Sequence, residues 1–120
     1  MDEIIVASED LDSGDFVNIH DNGGVANVRK ANASVARVAH GFVRVAAASG
    51  SDATVYFSGT NDRLAGLTPG VTYALSHLNP GAVIELWAAT TVPGQSLQAL
   101  GVATTAKTLA TDIRQPIIRG

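Results

Sequence analysis

Three imidazoles and a crowd of carboxylates near the start are the residues of this chain best equipped for chemistry. His20, His40 and His77 stand too far apart for the short ligand spacings of a metal site. Cysteine is absent, which removes thiolate metal sites, redox pairs and disulfides. His20 flanks a turn and His77 precedes one, so both read as solvated loop-edge histidines. No Gly-x-Ser-x-Gly marks a nucleophile, and no Gly-Lys-Ser/Thr follows Gly14, Gly23 or Gly24, so hairpin chemistry explains these glycines better than a phosphate cradle. The acids Asp2, Glu3, Glu9, Asp10, Asp12 and Asp15 admit three readings. They form a solvated terminus, an Asp10-x-Asp12-x-Gly14-Asp15 calcium loop lacking the EF-hand order, or an acidic arm that docks on a basic neighbour by adding to a sheet edge. No catalytic, cofactor-binding or metal-ligating set emerges, and the expectation is a protein that is not an enzyme and carries no cofactor.

The elements that would position these residues are short strands. The chain has 120 residues, 46% hydrophobic and 16% charged. That is apolar enough to collapse around one core without a metal or disulfide staple. A net charge of −3 argues against a nucleic-acid binder built on a basic surface. No apolar run approaches the ~20 residues of a membrane span, and the acidic Met1-Asp2-Glu3 start is unlike a signal peptide. A soluble, unprocessed protein without nucleic-acid or membrane partners is expected.

Glycine and proline punctuate runs of Val, Ile, Thr and aromatics throughout, the pattern of an all-β protein. Phe16 to His20 places Val17 and Ile19 on one face and Phe16, Asn18 and His20 on the other. Asp21-Asn22-Gly23-Gly24 then supplies the positive φ of a tight hairpin, returning the chain along Val25 to Lys30. Val38 to Ala47 and Ala53 to Phe57 read as a second hairpin, with a helix over Val35 to Ala48 disfavoured by Gly41. Pro69-Gly70 turns into Val71 to Leu75, and Asn79-Pro80-Gly81 into Ala82 to Trp87. Leu97 to Ala103 follows Pro93-Gly94, and a last pair is expected from Lys107 to Ile113 and Ile117 to Ile118. The sum is nine or ten strands in a compact antiparallel sandwich or barrel. Residues 1–10 form an N-terminal segment or arm, 11–113 a single β domain, and 114–120 a C-terminal tail. The six aromatics are few for such a core, which hints that contact with other subunits supplies part of the burial.

Several stretches together resemble a known group. These are Asp12-Ser13-Gly14-Asp15-Phe16-Val17-Asn18-Ile19, Val28-Arg29-Lys30-Ala31, Gly41-Phe42-Val43, Ala53-Thr54-Val55-Tyr56-Phe57, the Gly66-Leu67-Thr68-Pro69-Gly70-Val71-Thr72-Tyr73-Ala74-Leu75-Ser76 run and the segment Gln98 to Leu109. From about Leu11 to Leu109 the chain is similar to small structural proteins of tailed bacteriophages and prophages, of the head decoration (cement) or head-fibre type. Ala74 stands where a second aromatic would be expected. The resemblance implies a virion protein, made in the host bacterial cytoplasm, that binds the capsid exterior and stabilises it. Its partners would be the major capsid protein and itself, as a homotrimer. It implies no catalytic residues. The alternative is a trimeric fibre or spike component that contacts a receptor or carbohydrate; Tyr56, Tyr73 and Trp87 are its aromatic candidates, each read first as core. A third class, an enzyme or binding module sharing only turn chemistry, would need a pocket of converging titratable groups.

The contact residues expected are apolar side chains at the two ends. Ile4, Ile5 and Val6 lie between acids, as an anchoring arm or as an ordinary first strand. Ile117 and Ile118 are their counterparts in the tail, where Pro116 restricts the chain to an edge position.

Overall fold

The computed structural model describes residues 2–89, 96–113 and 117–118. The chain is all-β. Its first five strands are β1 (Asp2–Ala7), β2 (Phe16–Asn22), β3 (Val25–Lys30), β4 (Gly41–Val43) and β5 (Asp52–Tyr56), and they close a barrel in the order β1-β3-β2-β4-β5. The β2–β3 hairpin turns where its composition requires it: Gly23 and Gly24 both hold positive φ, 64° and 89°, which side-chain-bearing residues resist. The expected second hairpin is present as β4 and β5, paired through Phe42–Tyr56 and Val43–Val55. It is shorter than its alternating sequence suggests, because alanine-rich flanks offer little side chain to pack. Asn32 instead caps a 3-10 turn at Ala33–Val35.

The second sheet contains β6 (Gly59–Asn61), β7 (Thr72–Leu75), β8 (Val83–Glu85), β10 (Ala99–Ala103) and β11 (Leu109–Thr111), ordered β6-β11-β10-β7-β8. A two-stranded ribbon joins β9 (Ser96–Leu97) to β12 (Ile117–Ile118). The expected pairing of residues 107–113 with 117–118 is therefore wrong. β11 lies between β10 and β6, and β12 pairs with β9. The strand expected over Ala82 to Trp87 stops at Glu85, and Leu86–Ala88 is a 3-10 turn. Among the described residues the structure has twelve strands, more than the nine or ten expected. No helix among them is long and apolar enough to cross a membrane.

Two cores follow from the alternation of β2. Val17 and Ile19 point into the barrel, where Ile5, Ala7, Leu11, Val28, Val43, Ala53 and Val55 form an aliphatic interior. Phe16 points the other way, into a layer between barrel and second sheet containing Phe42, Tyr73, Leu75, Leu100 and Leu109. Both faces of β2 are thus buried at its start, as expected of a strand shared by two layers. Phe16 and Phe42 meet with ring centroids 5.8 Å apart, and Tyr56 stacks on Phe42 at 5.7 Å. At Gly41 the walls leave no room: a Cβ would stand 2.6 Å from the Tyr56 carbonyl oxygen and 2.7 Å from Val55 Cγ1.

Buried amides fasten the layers. The Gln98 side chain donates to the Ala39 carbonyl and accepts from the Ala39 amide, both at 2.8 Å. Asn61, fully buried, donates to the Gly14 carbonyl at 2.9 Å. These contacts span long sequence separations and satisfy backbone groups that would otherwise be buried unpaired.

Candidate functional site

The barrel wall is uneven on the two sides of β1. Toward β5 the antiparallel ladder runs through five residue pairs, from Asp2–Tyr56 to Val6–Asp52. Toward β3 the parallel ladder holds only Val6–Asn27 and Ala7–Val28. The Ala7 amide bonds to the Ser51 carbonyl on the β5 side, and the Ser8 amide to the Val28 carbonyl on the β3 side. Continuing that alternation up the strand turns the amides of Ile5 and Glu3 toward β5 and the backbone groups of Ile4 toward β3. The pairing with β3 ends at Val6 and does not reach Ile4.

Where β1 parts from β3, a shallow cleft of about 300 Å³ opens, lined by Glu3, Ile4, Ile5, Val6, Ile19, Val25 and Ala26. Its floor is one end of the barrel interior, because Ile5 and Ile19 belong to or pack against that core. Its rims are apolar and in solvent: Ile4 is 67% exposed and Val25 59%. Across the Ile4–Thr54 pair lies a second depression of about 220 Å³, lined by Val45, Ala46, Ala47, Asp52, Ala53, Thr54 and Tyr56. Val45 is 72% exposed. One side of the barrel therefore presents three large aliphatic side chains around a partly paired strand. The charged side chains lining the two depressions are acidic, Glu3 and Asp52. Beside them the Arg44 guanidinium lies over the Tyr56 ring at 4.9 Å and donates to the Thr60 carbonyl.

This arrangement settles the place of Ile4, Ile5 and Val6. They belong to the first strand of the barrel and not to a detached arm: Ile5 is core, Val6 half-buried, and Ile4 on the surface. Closing the barrel requires a strand against β5, and this segment supplies it. Ile117 and Ile118 lie in β12 against β9, and nothing in the described structure brings them to β1.

The acids that follow β1 are tied to the fold by hydrogen bonds, although Glu9, Asp10 and Asp12 remain exposed to solvent. Glu9 accepts from the Lys30 amide at 2.7 Å, Asp10 from the Ser49 amide at 2.9 Å, and Asp15 from the Asp12 amide at 2.8 Å. Lys30 Nζ joins Asp12 at 2.8 Å and Asp15 at 3.3 Å. Bonding to Asp12 raises the Lys30 pKa, whereas burial raises that of Asp15 in spite of the lysine. Among the described residues, no three His, Asp or Glu side chains come together in a grouping suited to a metal ion.

Neither His20 nor His77 is a fully solvated loop-edge group: His20 lies within β2, and His77, although in the bend after β7, is half-buried. His20 Nε2 lies 2.8 Å from Ser8 Oγ, and His77 is half-buried with Nδ1 unpartnered. His40 Nδ1 accepts from the Ile19 amide at 2.9 Å, while its own amide donates to the Val17 carbonyl. The imidazole thus extends the β2–β4 ladder beyond its last residue pair, and burial holds its pKa below 6.5.

Of the aromatic candidates, Tyr73 is core and gives its hydroxyl to the Thr68 amide as acceptor, and Tyr56 is half-buried. Trp87 is not core: it is 79% exposed, with its indole N–H donating to Glu85 at 2.8 Å. Its place just after β8 in a 3-10 turn, and not in a strand, turns it outward. Sequence reasoning missed Val25 and Val45 as surface groups. The parity of β3 carries the signal for Val25, since Val28 faces the barrel interior and a residue three positions away faces out.

Comparison with protein-family models, with curated proteins and with solved structures finds no match.

Proposed function

We propose that this chain is a structural protein of a tailed-phage particle that binds the capsid exterior and stabilises it, as a head decoration or cement protein. The observation that carries this reading is the aliphatic, partly paired barrel face around Ile4, Val25 and Val45, an area suited to contact with another protein. The resemblance of residues 11–109 to such proteins supports it. Many copies of a modest contact suffice on a symmetric shell, because each weak interface is repeated. The test is the copy number of this chain in purified particles, measured against the major capsid protein. A ratio of one, or a simple fraction of one, is expected; absence from particles would overturn the proposal.

A fibre or spike role has one observation in its favour, the exposed Trp87 ring held by Glu85. An indole fixed in this way offers a face on which an apolar or sugar ring can stack. A handful of copies per particle, together with loss of host attachment in Trp87→Ala, would move the assignment there.

A further inference from the structure

The cleft between β1 and β3 has the features of a strand-acceptor site. The barrel wall is complete on the β5 side and splits on the β3 side ahead of Val6. In the split, the backbone groups of Ile4 point toward β3 beyond the last paired residues, and the end of the aliphatic core forms the floor. Unpaired strand backbone beside apolar side chains is a template for another extended chain. We propose that an extended polypeptide segment from a protein partner, apolar on alternate positions and flanked by basic residues, adds to β1 in this cleft. Backbone bonds to Ile4 would supply the pairing. Alternate side chains would meet Ile4, Val25 and the Ile5–Ile19 floor.

The basic flanks follow from the charges present. Glu3 lines the cleft, and Asp52 stands opposite Val6 on the neighbouring strand. Asp2 precedes them on β1 and is exposed. No lysine or arginine lines the cleft. A second copy presenting the same face would bring these acids against one another, so a basic-flanked partner fits better. For the source of the segment the inference rests on the capsid reading, where the partner is another structural protein. The cleft itself is tested without particles.

The probe is a short synthetic peptide of alternating valine and threonine with lysine at both ends, titrated into the full-length protein and followed by amide NMR. Shifts confined to Ile4, Val25, Ala26 and their neighbours are expected, with a Kd of about 1 mM or tighter. A glutamate-flanked version should bind about tenfold more weakly. A version N-methylated along its pairing edge should lose binding, as should Ile4→Lys and, on the opposite rim, Val25→Lys, each checked for an unchanged fold. Equal binding by the N-methylated peptide, shifts mapping elsewhere, or no binding overturns the proposal. So do concentration-dependent shifts of the same amides without peptide, which would identify a second copy as the occupant. Peptide binding by a chain absent from particles would fail the capsid reading and leave the cleft standing; the converse pair of results would do the reverse.

Discussion

The two flanks of β1 were made from the same six residues and came out differently. On the β5 side, five residue pairs bind the strand into the barrel and Ile5 faces the aliphatic core. On the β3 side, pairing ends after two, and Ile4 stands in solvent above the gap. The strand is therefore a structural closure on one flank and an open surface on the other. A strand can serve both purposes because its side chains and its backbone groups alternate. Stability should depend on the sealed flank and the layer behind it, and binding on the open one.

Substitutions sharpen that contrast. Phe42→Ala removes the ring that joins Phe16 to Tyr56 and should cost about 4 kcal/mol in denaturant unfolding, a large part of a small domain's stability. Gly41→Ala forces a methyl against the Tyr56 carbonyl and Val55, and should cost about 2–3 kcal/mol by the same measurement. Gln98→Leu strands the buried Ala39 amide and carbonyl, for about 2 kcal/mol. Ile4→Lys, on the open flank, should change stability by no more than about 0.5 kcal/mol while abolishing binding to the partner. A large loss of stability in Ile4→Lys would erase the distinction between the flanks.

A smaller effect lies in pH. His40 Nδ1 must be unprotonated to accept from the Ile19 amide, and its folded pKa is depressed below 6.5 by burial. The unfolded chain therefore takes up the proton first. This contribution is full above pH 6.5 and is lost as pH falls through 6.5 toward the folded pKa, below which it stays lost. Melting temperature should drop slightly on acidification from pH 7.5 to 5.5, and His40→Gln, whose side chain does not titrate, should flatten the dependence. The raised Asp15 pKa acts in the opposite direction, since protonation there favours the folded state.

Turn chemistry was the most legible part of the fold. Gly23–Gly24, Pro69–Gly70 and Pro80–Gly81 are turns for local reasons, since positive φ and a fixed proline ring act without help from distant residues. Strand partners were less legible. β11 takes β6, a strand far away in the chain, as one neighbour, and β12 pairs with β9 across the intervening β10 and β11, so local turn chemistry sets neither pairing. Gly41 reads in sequence as a helix breaker, but its role is to admit a close approach of β4 and β5. Gln98, Asn61 and Asn18 look like surface residues and are buried, because the backbone groups they satisfy lie far away in the chain. Of the candidate site, Ile4 could be singled out as an apolar residue among acids. Its partners Val25 and Val45 could not be grouped with it, since only the closed barrel brings them to one side.

Amide hydrogen exchange along β1 in the isolated full-length protein distinguishes a sealed flank from an open one. Slow exchange is expected at Glu3 and Ile5, whose amides face β5, and fast exchange at Ile4 between them. Uniform protection through all three would mean that the β3 flank is sealed and the cleft absent. Uniformly fast exchange would mean that the segment is a detached arm.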